Sequence, residues 1–103
     1  MVRIHFHENF YSSVLKGEKT QTARIDEPHY PLGRAIADFS NGLSLPIDIT
    51  NISFKTIDNM SIDELRKDGF ESKEELWEAL IGFYPNLEEK DPLMLVAFRC
   101  IID

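Results

Sequence analysis

Cysteine is almost missing from this chain: Cys100 is the single one among 103 residues, so no internal disulfide can form. Its neighbours Val96, Ala97, Phe98 and Ile101 mark it as a small apolar core residue, since a reactive thiol needs a basic, partly open setting. Long apolar runs are missing too. The longest, Leu93 to Phe98, stops far short of the roughly 20 residues that a membrane span requires, and no basic stretch followed by an apolar segment opens the chain. The expectation is a cytosolic, unprocessed protein with no membrane partner. Positive charge is scarce: 11 Lys and Arg stand against 18 Asp and Glu, a formal net charge of −7. Such a surface repels a phosphate backbone at long range, which argues against non-specific nucleic-acid binding. A nucleic-acid ligand would have to meet a local basic patch, or be a single nucleoside. Internal repeats and low-complexity stretches are also missing.

What is present suffices for one core. Hydrophobic residues make up 43% and aromatic residues 11% of a length that leaves no room for a second domain, so residues 1–103 are read as one domain. Arg3 to His7 alternates as a strand does, and Asn9 to Lys16 carries Phe10, Tyr11, Val14 and Leu15 at helical spacing before Gly17 ends it. Thr20 to Ile25 is β-branched and alternating, which places Thr20, Thr22 and Arg24 on one strand face. Pro28 and Pro31 make Asp26 to Leu32 a loop. Arg34 to Phe39, a turn at Asn41-Gly42 and a long arm from Leu43 to about Ile57 read as a hairpin, with Pro46 at an edge or bulge.

Two capping boxes follow, Ser61 with Glu64 and Ser72 with Glu75, predicting two short helices split near Asp68-Gly69-Phe70. The second carries Leu76, Leu80 and Phe83 on one stripe with Trp77 and Ile81 beside it, read as core, and stops at Tyr84-Pro85. Leu93 to Phe98, continuing into Ile101-Ile102, reads as a buried closing strand.

The densest polar cluster is Lys16, Lys19, Thr20, Thr22 and Arg24, at a helix end and the start of the next strand. A hydroxyl sharing a face with a guanidinium, near a primary amine, can grip an anion or the polar edge of a base. A lysine pushed toward neutrality can instead take the proton of a threonine hydroxyl and make it a nucleophile. Spacing alone leaves gripping, reacting and an ordinary solvated turn all open.

The run Gly17-Glu18-Lys19-Thr20-Gln21-Thr22-Ala23-Arg24 resembles the signature of the ASCH family, in which glycine, lysine, threonine and arginine follow a first helix at this spacing. The resemblance extends through Tyr11 to Leu15, Gly33, Asp68-Gly69-Phe70, Tyr84-Pro85 and Phe98-Arg99-Cys100, in the order of the small bacterial members. It implies an α+β fold: a PUA-like β-barrel of five to six mostly antiparallel strands with two to three short flanking helices. It also implies that RNA or a modified nucleoside binds in a cleft lined by Lys19, Thr22 and Arg24, with Thr20, Tyr30 and Arg34 as further ligand contacts and no cofactor. Some small members are amidohydrolases that deacetylate acetylated cytidine. Carried over, their roles fall on Lys19 as base, Thr22 as nucleophile and Asp68 as acid. Here the sequence departs from the pattern, because those enzymes have glutamate where this chain has Asp68, and a displacement of about 1 Å can cost on the order of 100-fold in rate. Glu64 and Glu71 are the alternative carboxylates. Arg34, where many members are acidic, would favour a phosphate-bearing ligand.

Three other groups carry weaker signals. His5 and His7 share a strand face and His29 could complete a metal set, but no acidic ligand accompanies them. Trp77, Phe83 and Tyr84 could stack on a base, although their place on an apolar helix stripe favours core packing. The acidic balance would also suit a protein-interaction domain that kept the barrel and lost its ligand.

Overall fold

The structure is a computed structural model and describes residues 1–25 and 27–101. Its strands are β1 (Val2–Phe6), β2 (Gln21–Arg24), β3 (Gly33–Phe39), β4 (Ser44–Lys55) and β5 (Leu93–Cys100), and its helices are α1 (Tyr11–Leu15), α2 (Ile62–Lys67) and α3 (Lys73–Phe83). Single 3-10 turns at Glu8–Phe10 and Ile57–Asn59 lead into α1 and α2. The strands form one sheet in the order β1-β3-β4-β5-β2, with β1 parallel to β3 and every other pair antiparallel. This is an α+β, five-stranded curled sheet with short flanking helices, as the resemblance implied. The curl leaves β1 and β2 as the two edges and brings them close together: the Arg24 guanidinium on β2 donates to the His5 carbonyl on β1 at 2.6 Å. The sheet is therefore a half-barrel with a gap along one side.

Strand β4 shows how the curl arises. Leu45, Ile47 and Ile49 point into the core, as period-two alternation requires. Pairing with β5 then slips between Ile49 and Asn51, leaving Thr50 as an extra residue. The inward phase passes from odd to even positions, so that Ile52 packs on the same core. A bulge of this kind bends a strand and tightens its twist. It falls four residues after Pro46, which corrects the expectation for the proline: Pro46 lies near the start of the central strand, opposite Ile36, and its carbonyl accepts from the Ile101 amide.

The core has two lobes separated by β5. Met94, Val96 and Phe98 face the inside of the half-barrel with Ile4, Ile47 and Ile49, whereas Leu93 and Leu95 face α2 and α3 through Leu65, Leu76 and Leu80. Because both faces are covered, β5 reads as a continuous apolar run with little alternation. Ile102, expected at its end, and Asp26, expected to open the loop before β3, lie outside the described residues. Cys100 is half-buried against the first lobe, and burial pushes its thiol up.

The local signals mostly act as expected. Ser61 and Glu64 form a complete capping box, at 3.1 and 2.9 Å. The second box is half of one: Ser72 accepts from the Glu75 amide at 3.2 Å, but the Glu75 carboxylate takes the amide of Glu71 instead of that of Ser72. Phe83 corrects the stripe. Leu76 and Leu80 are core, while Phe83 is 72% exposed, because the last turn of α3 overhangs the gap between the sheet edges.

Candidate functional site

The site begins where α1 ends. Gly17 takes a left-handed conformation, φ +77°, and the amides of Glu18 and Lys19 both return to the Ser13 carbonyl, turning the chain sharply toward β2. Thr20 then anchors this turn from both sides: its amide donates to the Lys67 carbonyl and its carbonyl accepts from the Phe98 amide. The turn drives the Lys19 side chain inward, where it is only 3% exposed.

There Lys19 Nζ donates to the Asp68 Oδ1 at 3.0 Å and to the Asp68 carbonyl, and lies 4.5 Å from the centre of the Phe10 ring and 5.8 Å from that of Phe70. Asp68, 2% exposed, is the C-cap of α2, so the lysine sits where helix carbonyls are free. The other carboxylate oxygen accepts from the Gln21 amide nitrogen at 3.1 Å, which also donates to the Glu64 carbonyl. Burial lowers the Lys19 pKa, the nearby Arg24 charge adds to this, and Asp68 opposes it. Among the described residues no buried side-chain polar atom lacks a partner. The arrangement is a buried, mutually satisfied ion pair.

The opposite wall is built on β2. Arg24 Nε donates to the Thr22 Oγ1 at 3.0 Å, as their shared strand face allows, and its guanidinium lies 5.1 Å from the centre of the Phe6 ring. Its Nη1 is 3.8 Å from the Glu27 Oε2. Glu27 in turn accepts the hydroxyls of Tyr30 at 2.5 Å and of Tyr84 at 3.0 Å. Burial, followed by the bond to Glu27, pushes Tyr30 up to about 12, and the same causes raise Tyr84. Both tyrosines therefore remain neutral donors across the physiological range.

Between these walls lies a cleft of 530 Å³ in the gap of the half-barrel. It brings together Lys19, Thr22, Arg24 and Asp68 from the sequence-derived set, with Phe10, Phe83 and Tyr84 among its aromatic walls. Thr20, Tyr30 and Arg34 are not among its lining residues. Thr20 serves the turn, Tyr30 touches the site through Glu27, and Arg34 is exposed on β3 opposite Asp48. Glu64 is committed elsewhere: burial alone would raise its pKa, but Lys55 and the Ser61 amide outweigh that and lower it. Glu71 is exposed and outside the cleft. Trp77 packs on the second core lobe. His5 and His7 line the cleft, but His29 lies against Phe54, and among the described residues no group of three ligands could hold a metal ion.

Sequence reasoning missed Gln21 and Glu27. Gln21 was within reach of it, being two residues from Lys19 in a strand-like segment where alternate side chains share a side. Glu27 carried a local signal too, lying three residues after Arg24 and three before Tyr30, whereas its bond to Tyr84, 57 residues away, is visible only in the fold.

No protein-family model matches the chain, and no curated protein matches it. Its three-dimensional structure does match solved structures. An ASCH domain from Lactobacillus crispatus superposes with a TM-score of 0.78 at 19% identity, over 96% of this chain and 78% of that one. A hypothetical protein gives 0.74 at 18% identity, over 96% and 97%. A mutant ASCH protein from Zymomonas mobilis gives 0.68 at 13% identity, over 94% and 67%. At such identities the likeness is one of fold: this chain has the fold of the ASCH domain.

Proposed function

We propose that the cleft binds a nucleoside, with the base between its aromatic walls. The observation that carries this reading is that the charges lining the cleft are already paired, Lys19 with Asp68 and Arg24 with Glu27. What they leave to a ligand is mostly apolar and aromatic surface, with the His5 and His7 side chains and the Ser40 and Thr22 hydroxyls as polar groups. Thr22 accepts from Arg24, so its own proton is left to donate, and the complementary ligand group is a carbonyl or ring-nitrogen acceptor. The volume falls in the usual range for small-molecule sites, about 300–1,000 Å³. The net charge of −7 favours a nucleoside over a long RNA backbone. Amide NMR titration with cytidine tests it. Shifts at Thr22, Arg24 and Tyr84 are expected; no shift there with cytidine, acetylcytidine or a short RNA would overturn the reading.

A second reading, amide hydrolysis of an acetylated cytidine, is favoured by one feature, the buried lysine with lowered pKa beside a carboxylate. Asp68, though one methylene shorter than glutamate, reaches Lys19 at 3.0 Å. Catalysis would require Lys19 to loosen from Asp68 and give up a proton, so that its neutral amine takes the Thr22 proton as the hydroxyl oxygen adds to the acetyl carbonyl; the C–N bond then breaks as that proton passes to the departing cytidine nitrogen, and water releases acetate from Thr22. The check is turnover of acetylcytidine by the protein and by Lys19→Ala and Thr22→Ala variants. Turnover lost in both variants supports the roles, and none in the folded protein rejects them.

A further inference from the structure

Glu27 belongs to no motif, yet it joins three parts of the chain around the cleft. One carboxylate oxygen accepts from Tyr30 in the loop before β3; the other accepts from Tyr84 at the end of α3 and faces Arg24 on β2 at 3.8 Å. Both members of the ion pair are mostly covered, with side chains 15% and 26% exposed, so solvent screens them less than a surface pair. Arg24 is the part of the cleft wall best suited to a phosphate: a planar fork, already fixed by Thr22 and the His5 carbonyl. The Nη1 side of that fork faces Glu27.

We propose that Glu27 sets the ligand selectivity of the cleft: by pairing with Arg24 it cancels the charge that would hold a phosphate, so the site takes an uncharged nucleoside and turns away the phosphorylated form. This rests on the nucleoside reading above and adds to it a residue that acts through Arg24. The two tyrosine hydroxyls keep the carboxylate aimed. They supply it with neutral donors, so its negative charge remains available to Arg24. A positioning role of this kind differs from a purely structural one in what it controls. A structural brace changes how tightly every ligand binds, whereas a charge-cancelling residue changes the preference between a neutral ligand and its anionic derivative.

The experiment is calorimetric titration of the whole chain with cytidine, cytidine 5′-monophosphate and inorganic phosphate. The unmodified protein is expected to bind cytidine at least about 10-fold more tightly than the monophosphate, and to show no heat with phosphate alone. In Glu27→Gln, which keeps an acceptor for the tyrosines, that preference should fall by on the order of 10-fold, as a charge-assisted contact between Arg24 and the phosphate becomes available. Glu27→Asp, which keeps the charge, should retain the original preference. Cytidine binding with the same preference in Glu27→Gln as in the unmodified protein would overturn this inference and leave the nucleoside reading standing. Monophosphate binding as tight as cytidine in the unmodified protein would overturn it without any variant. If no nucleoside binds at all, the nucleoside reading fails, and the phosphate titration still decides the charge argument: heat gained in Glu27→Gln supports it, and none refutes it.

Discussion

The two ion pairs of the cleft differ in almost every respect except their net charge. Lys19 and Asp68 are both at most 3% exposed, 3.0 Å apart, and surrounded by Phe10, Phe70 and Gln21. Arg24 and Glu27 are further apart, at 3.8 Å, and each is held mainly by neutral groups: Thr22 and the His5 carbonyl for one, two tyrosine hydroxyls for the other. The first pair is part of the structure, joining the α1 exit to the end of α2. The second is an adjustable wall. Desolvation explains the difference, because two charges with no water to return to must be completely satisfied by each other, while partly open charges can exchange partners when a ligand arrives.

The largest effect expected from breaking the comparison is at Lys19. Lys19→Met leaves the Asp68 carboxylate buried without its cation and should cost about 3–5 kcal/mol in urea denaturation. Loss below 1 kcal/mol would mean that the pair is more hydrated than its exposure indicates. Next comes Asp68→Glu, which adds a methylene to a filled space and should destabilise by about 1–3 kcal/mol. If acetylcytidine turnover rises in spite of that, the hydrolase reading gains directly. Arg24→Met removes the bond across the strand gap and should cost about 1–2 kcal/mol, clearly less than Lys19→Met. Equal losses would erase the distinction between a structural and an adjustable pair.

The smallest effect is in the pH dependence of the second wall. Tyr30 is raised from 10.0 to about 12 in the folded chain, so between those values the folded state binds more protons than the unfolded one. Its contribution is complete below 10 and is lost as pH rises through about 12. The denaturation midpoint should therefore fall across that window less steeply in Tyr30→Phe than in the unmodified protein. Lys19 has the opposite sign: lowered from 10.5, it makes stability rise with pH as 10.5 is approached from below.

Legibility in the sequence followed the range of the interactions. Gly17, the Ser61–Glu64 box, the stop at Tyr84-Pro85 and the shared face of Thr22 and Arg24 depend on neighbours a few residues away, and they were readable. Pro46 was misplaced because the position of the bulge depends on register with β5, about 50 residues downstream. Phe83 has a core-like helical period, and nothing local reveals that the end of α3 borders the cleft. The Lys19, Thr22, Arg24 and Asp68 set was accessible through family resemblance. The part played by Gln21 was not, since only the folded chain brings it to Asp68; Glu27 lies three residues from Arg24 and from Tyr30, but its bond to Tyr84 also depends on the fold.

Calorimetric titration of cytidine into the protein and into Thr22→Val tests the central claim most directly. Saturable one-to-one binding, weakened by about 2–10-fold when the donor hydroxyl is replaced by a methyl of similar shape, is the result this account predicts. No binding by the folded protein, or equal binding by both, would contradict it.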